Sequence, residues 1–259
     1  MNTDLRHGFL ALAGGFGKGA GRALLVALAL AGCLAPPAAH AARNALDNRY
    51  EISVYDNGGK PDLTVDPIRL KSQLNVIDRY FDPANASDRC AYEEGAVGGY
   101  GWRRLMVFDV VIVNAGGGDL VVGDRSDPAN PYAGAFYFDP CHGHYHLAGF
   151  SEYRLLYQDG NAAQVGRKQG FCFEDSFKYT DHPSNGYHCG YQGITSGWGD
   201  WYYKQLPGQW IDVTGVPEGN YLLEVEINIQ DPKYRFDEGE NRYPNTTRTP
   251  AEIPKRRTR

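Results

Sequence analysis

The chain has 259 residues, of which 42% are hydrophobic, with 18 Tyr and 32 Gly. This length suits one large β-rich domain behind a removable leader and argues against two full domains. The formal net charge of -5 argues against a nucleic-acid partner, because phosphate neutralisation needs a clustered basic surface.

The first 41 residues predict a signal for export. Basic residues precede an apolar run at 23–30, which is followed by small residues and prolines. This run is shorter than the ~20 apolar residues that span a bilayer. Two processing routes fit: a signal peptide ending at Ala41, or a lipoprotein signal ending before Cys33. The mature domain, which we assign to residues 42–259, is therefore expected to be secreted, periplasmic or lipid-anchored at a membrane surface.

Four cysteines remain after either processing route: Cys90, Cys141, Cys172 and Cys189. An even number in an oxidising compartment predicts disulfide bonds. The residues alone allow three pairings.

The residue pattern of the mature chain predicts mainly β-structure. Residues 70–80 predict a strand or a short helix, and 104–113 form a run rich in β-branched residues, for which 120–122 is the predicted hairpin return. Further strands are predicted at 209–213 and at 221–229, where apolar and polar residues alternate. We therefore predict a mainly β fold, a β-sandwich core with long irregular loops that carry a metal site.

Chemistry is expected between these strands, in the His-, Cys- and Tyr-rich segment 139–207. Here His142, His144 and His146 occupy alternate positions. In an extended strand, side chains at i, i+2 and i+4 share one face, so the three imidazoles would converge on one ion. Imidazole suits Cu, Zn, Fe and Ni, and copper stands highest in the affinity series.

Several motifs in this chain resemble those of lysyl oxidases. Cys-His-Gly-His-Tyr-His is followed by Phe-Ser-Glu-Tyr-Arg-Leu-Leu, and Lys-Gln-Gly-Phe-Cys-Phe-Glu-Asp comes further along the chain. The matching segments are 89–94, 141–146, 150–156, 168–175, 197–202 and 209–214. Four of these motifs occur in the family's order, which makes the resemblance specific.

The resemblance implies a copper site and a cofactor made from the protein itself. Copper would be held by His142, His144 and His146, while Lys168 and Tyr202 would form a lysine tyrosylquinone. Tyr203 is the residue that a one-position misalignment would choose instead of Tyr202.

The implied reaction is that of a copper amine oxidase. A primary amine or a peptidyl lysine would be oxidised by dioxygen to an aldehyde, with release of ammonia and hydrogen peroxide. A carboxylate is the natural base for the proton transfer, and Asp175 and Asp200 are the candidates.

The resemblance also implies a Cys141–Cys189 disulfide, which would leave Cys90 and Cys172 to bond each other. In addition, it implies a calcium site, for which oxygen donors are the appropriate ligands. The residues that would form this site are Asp62, Leu63, Glu238, Glu240 and Asn245.

Two other functions compete with this prediction. One is an exported β-sandwich in which the histidines hold a metal without redox chemistry. The other is a cupin-like metal dioxygenase, in which Glu152 and either His182 or His188 would complete the ligand set.

Overall fold

Antiparallel strands make up most of the regular structure in the computed structural model, which describes residues 50–167 and 170–256. The predicted leader with Cys33 lies outside the described residues, and so does Lys168. Among the residues that are described, no helix has the length and apolar character needed to cross a membrane.

The described part of the chain alternates between short strands and turns, with two short α-helices before residue 100. The helices are α1 (Pro67–Ser72) and α2 (Ala86–Glu93), and one 3-10 turn covers Ala133–Ala135. The strands are β1 (Leu63–Val65), β2 (Asn75–Phe81), β3 (Gly101–Val107), β4 (Val110–Asn114), β5 (Leu120–Gly123), β6 (Phe136–Asp139), β7 (His144–Ala148), β8 (Ser151–Leu156), β9 (Ala162–Val165), β10 (Gly170–Phe171), β11 (Phe177–Lys178), β12 (Gln192–Ile194), β13 (Trp198–Tyr202), β14 (Trp210–Asp212), β15 (Gly219–Ile227) and β16 (Thr246–Ile253).

Two four-stranded sheets supply about half of the main core cluster, in the orders β1-β4-β13-β11 and β16-β15-β8-β9. Buried apolar residues of both sheets, such as Ile112 of β4 and Leu223 of β15, belong to one continuous core cluster. A core shared by two sheets is the arrangement expected of a sandwich. The prediction of a mainly β fold is confirmed.

Three smaller sheets complete the described structure, in the orders β10-β7-β6, β12-β5 and β14-β3-β2. The first of these carries the histidine segment. Its β6 and β7 form a hairpin in which Asp139 pairs with His144, and β10 pairs with the other edge of β7.

Several strand predictions need correction. The predicted run 104–113 is interrupted at 108–109, between β3 and β4. At this break the side chain of Asp109 accepts hydrogen bonds from Trp201 Nε1 and Lys204 N. Residues 120–122 do form a strand, but β5 pairs with β12 and not with the preceding strand. The segment 70–80 holds both predicted alternatives, the end of α1 followed by β2.

The expected disulfide pairing is also wrong. Cys90 bonds Cys141, with α-carbons 5.6 Å apart, and Cys172 bonds Cys189, with α-carbons 5.3 Å apart. Both separations lie in the ordinary range for a disulfide. The reason is tertiary: α2 brings Cys90 to the turn before β7, which occupies Cys141. All four cysteines are paired, as expected of a protein that folds in an oxidising compartment.

Candidate metal centre and active site

The turn between β6 and β7 brings the three histidines together. The backbone N–H groups of Cys141 and His142 donate to Asp139 Oδ1, at 2.8 and 3.3 Å. Gly143 has a φ of 71° and its N–H donates to the Asp139 carbonyl at 2.8 Å. A left-handed φ favours glycine at this position.

This turn changes the geometry predicted for the triplet. Only His144 and His146 lie in β7, whereas His142 belongs to the turn. The three imidazoles therefore converge because the chain bends at Gly143, and not because they share one face of an extended strand. The predicted convergence is present, but the predicted cause was wrong.

The nitrogens that face one another are close together. His146 Nε2 lies 2.8 Å from His144 Nε2 and 3.4 Å from His142 Nδ1. Two imidazole nitrogens bound to one ion at about 2.0–2.1 Å are about 2.8–3.4 Å apart when the angle at the metal is about 90–110°. These two spacings are those of ligands to one metal ion, and the ligand atoms of all three rings lie within 4.8 Å of one another.

The opposite nitrogen of each ring has an acceptor. His146 Nδ1 lies 3.2 Å from Asp139 Oδ2, and His142 Nε2 lies 3.5 Å from Glu94 Oε1. His144 Nδ1 lies 3.0 Å from the carbonyl oxygen of His142. Acceptors at the outer nitrogens leave the facing nitrogens with lone pairs for a metal. The nitrogens that face one another are Nδ1 of His142 and Nε2 of the other two, so these are the candidate metal-binding atoms.

Sequence reasoning gave no role to Asp139 or Glu94. Glu94 follows α2, and its N–H donates to the Cys90 carbonyl at 2.9 Å, so the Cys90–Cys141 disulfide holds it beside the histidine turn. The only signal for Asp139 was its place two residues before Cys141, where an aspartate can cap a turn.

The strand β10 connects the histidines to Tyr202. Gly170 packs against the ring of His146 so closely that a side chain at this position would overlap it. The next residue, Phe171, makes an edge-on contact with the Tyr202 ring at a centroid distance of 5.1 Å. Two consecutive residues of one short strand therefore contact both predicted parts of the site.

Tyr202 lies at the end of β13 and is only 7% exposed. Its hydroxyl donates to the carbonyl of Cys172 at 3.3 Å. Burial, followed by the nearby Asp200, raises the pKa of Tyr202 well above its ordinary value. The neighbouring Tyr203 is 42% exposed and packs its ring on Trp201.

Asp200 lies on the same face of β13 as Tyr202, because side chains two residues apart in a strand point the same way. It is 2% exposed, and burial raises its pKa to about 8. Its Oδ1 accepts from Ser176 Oγ at 3.3 Å, and a side-chain hydrogen bond with Tyr202 acts against the rise in its pKa.

Asp175 has a different environment. Its Oδ1 accepts from the backbone N–H of Thr195 at 2.8 Å, and its Oδ2 accepts from the hydroxyls of Thr195 at 2.6 Å and Ser184 at 2.5 Å. These three hydrogen bonds connect Asp175 to Ser184 and Thr195 within the segment 175–195. Of the two predicted base candidates, Asp175 has the bonding pattern of a structural anchor.

The structure also brings the predicted calcium residues into one cluster near the chain end. Glu238 accepts from Leu63 N at 2.5 Å and from Asn245 Nδ2 at 2.6 Å, and burial raises its pKa, with a further contribution from the charge of Asp62. Glu240 differs, because its side chain is exposed and its carboxylate lies 3.4 Å from Arg242 Nε.

The ligands of the cupin-like alternative are not brought to the histidine triplet among the described residues. Glu152 forms an ion pair with Arg154 at 2.5 Å on β8. His182 Nδ1 lies 3.3 Å from the Ser196 carbonyl, and His188 Nδ1 accepts from Gly190 N at 3.0 Å.

The strand arrangement and the triplet define a class: a mainly β protein with a candidate three-histidine metal centre. A family model described as lysyl oxidase matches residues 79–248. The chain belongs to the lysyl oxidase family.

Individual relatives agree with this assignment. Lysyl oxidase homolog 3 of Homo sapiens is 37% identical over 153 residues, which cover 54% of this chain and 19% of that protein. Lysyl oxidase homolog 2 of Bos taurus is 36% identical over 204 residues, which cover 74% of this chain and 24% of that protein. The matched part is thus about a fifth to a quarter of these relatives.

If all three imidazoles bind one ion, replacing any of them by alanine should cause a comparable loss of copper uptake by the purified protein. His182→Ala is the matched control and should bind as the wild type does. Equilibrium dialysis followed by metal analysis measures the stoichiometry. Full uptake by His146→Ala would contradict the three-histidine site.

The raised pKa of Asp200 predicts how stability depends on pH in the copper-free protein. The protonated carboxyl favours the folded state, so its contribution is present below the unfolded pKa of about 4 and is lost as the pH rises through about 8. Between pH 5 and 9, the unfolding free energy of the wild type minus that of Asp200→Asn should fall by a few kcal/mol, at about 1.4 kcal/mol per pKa unit.

Urea unfolding at the two pH values measures this difference. The control Asp159→Asn, at an exposed turn, should show no such decline. A constant difference for Asp200→Asn would show that the carboxyl is not protonated in the folded protein.

Proposed function

We propose that this chain is a copper-dependent amine oxidase that converts primary amines or peptidyl lysine to aldehydes, with release of ammonia and hydrogen peroxide. The observation that carries the proposal is the contact of β10 with both parts of the site, Gly170 with His146 and Phe171 with Tyr202. Family membership favours copper over zinc at the three imidazoles and a quinone derived from Tyr202.

When bound, copper would supply the oxidation of Tyr202 by dioxygen, and the resulting lysine tyrosylquinone would supply the electron sink for amine oxidation. Lys168 is the proposed partner of Tyr202. It stands two residues after Gly166, whose N–H donates to Tyr153 O at 2.8 Å, and two residues before Gly170.

The aromatic residues around Tyr202 exclude water from it. Phe171 is 1% exposed and Tyr153 is 1% exposed, and both belong to the same core cluster as Tyr202. A dry environment strengthens the electrostatic interactions that orient a substrate amine.

We propose Asp200 as the general base. Its Oδ2 would take the proton from the carbon next to the substrate nitrogen, since it is buried beside Tyr202 and its pKa is raised to about 8 by that burial. A base whose pKa lies near the working pH is the more effective one. Asp175 would instead hold the segment 175–195 together through its hydrogen bonds with Ser184 and Thr195.

The proposed partners are a primary amine or a peptidyl lysine, and dioxygen. Export through the predicted leader, with or without a lipid anchor at Cys33, would place the enzyme where its two disulfides persist. The competing function, a non-redox metal-binding module, predicts no peroxide when a primary amine is added in air.

Replacing Tyr202 separates these functions. In copper-loaded, aerated protein, Tyr202→Phe should abolish the quinone absorption band, the Lys168 to Tyr202 crosslink seen by mass spectrometry, and the release of peroxide from a primary amine. Tyr203→Phe is the matched control, because this exposed neighbour should leave all three unchanged. Loss in the Tyr203 variant with retention in the Tyr202 variant would reverse the assignment, and a wild type without peroxide would support the non-redox module.

We also propose that calcium binds at the cluster of Asp62, Leu63, Glu238, Glu240 and Asn245. The observation in its favour is the burial of two neighbouring carboxylates, those of Asp62 and Glu238, at 0% and 7% exposure. Buried charges of like sign are costly unless a cation or hydrogen bonds compensate them.

Calcium at 100 times its dissociation constant should stabilise the fold by about 2.7 kcal/mol and raise the Tm by several degrees. Glu238→Gln should remove most of this shift, whereas the matched Glu240→Gln, at an exposed carboxylate, should remove less. Calorimetry with and without calcium makes the measurement. An unchanged Tm of the wild type would refute the site.

A further inference from the structure

Asp139 is not one of the proposed metal ligands, but its carboxylate is 4% exposed and lies against the histidine turn. Its two oxygens have separate functions. Oδ1 accepts from the backbone N–H groups of Cys141 and His142, which fixes the turn. Oδ2 lies 3.2 Å from His146 Nδ1, which is within hydrogen-bond distance, and 3.7 Å from His142 Nδ1, which is beyond it.

We infer that Asp139 is a positioning residue that selects the metal-binding nitrogen of His146. A neutral imidazole carries its one proton on either nitrogen, and a carboxylate beside Nδ1 favours the proton there. Nε2, which lies 2.8 Å from His144 Nε2, is then left with its lone pair for the metal. This inference rests on the proposed function only in that it requires metal binding by the histidines.

The carboxylate contributes its charge as well as its direction. A buried negative charge next to the imidazoles favours a bound cation, and carboxylates in this position raise the basicity of the histidine that they contact. Tyr137 also approaches His146 Nδ1, at 3.5 Å, but its hydroxyl is neutral and burial raises its pKa to about 12. Of the two groups that approach His146 Nδ1, Asp139 is therefore the one that carries a carboxylate.

The two functions of Asp139 suggest an asparagine variant as the test. In Asp139→Asn, the amide oxygen can keep the two turn hydrogen bonds, which orients the Nδ2 group towards His146. Because an amide NH₂ is a donor, it would favour the His146 tautomer with its proton on Nε2, the nitrogen needed for the metal. We expect the copper dissociation constant, measured by competition with a chelator, to rise about 10–100-fold.

Copper EPR supplies a readout that a loss of stability alone would not change. The nitrogen hyperfine pattern of Asp139→Asn should differ from that of the wild type, and Asp139→Glu, which restores a carboxylate, should recover part of the affinity. Asp159→Asn is the matched control, since Asp159 Oδ1 caps an exposed turn by accepting from Asn161 N at 2.9 Å. Its affinity and spectrum should remain those of the wild type.

Unchanged affinity and spectrum in Asp139→Asn would overturn the inference while leaving the copper site in place. A wild type that takes up no copper would overturn both the proposed function and this inference. If the asparagine variant is not obtained folded, Asp139→Ser serves instead, because it retains an oxygen for the turn but has no carboxylate. A loss of at least about 10-fold is expected there, and an unchanged constant would refute the role of Asp139.

Discussion

The geometry of the candidate metal centre depends on the hydrogen bonds that Asp139 makes at the end of β6. One oxygen closes the turn through the backbone N–H groups of Cys141 and His142, and the other lies beside Nδ1 of His146. A buried polar group without a partner costs about 1–3 kcal/mol, so three clustered imidazoles need acceptors at the nitrogens that face away from the metal. Asp139, Glu94 and the His142 carbonyl place an oxygen at 3.0–3.5 Å from each of these nitrogens.

The Cys90–Cys141 disulfide extends the same arrangement to a distant part of the chain. It joins α2 to the histidine turn across a sequence separation of 51 residues. Glu94 stands four residues after Cys90, about one helical turn away, and is thereby held beside His142. One covalent bond thus brings a second carboxylate to the proposed metal site, which explains why this pairing matters to the site as well as to the fold.

The connection between the metal centre and Tyr202 is short and buried. The pairing of β10 with β7 places Gly170 on His146, and the alternation of the strand turns Phe171 towards the core and Tyr202. Glycine is required at the first position, because any side chain there would overlap the histidine ring. The same core isolates Asp200 from water, which raises its pKa and distinguishes it from Asp175.

The sequence by itself determined the class of fold, the family, and which three histidines are the candidate metal ligands. Those features follow from local patterns: β-branched runs, alternate histidines and short motifs in a fixed order. The tertiary structure alone decided the disulfide pairing, the bend at Gly143, and the separate environments of Asp175 and Asp200. It also revealed the carboxylates of Asp139 and Glu94. The physical reason is that disulfide pairing, burial and hydrogen-bond partners depend on which strands and helices come together in space. These elements are far apart in the sequence, so no local pattern specifies their contacts.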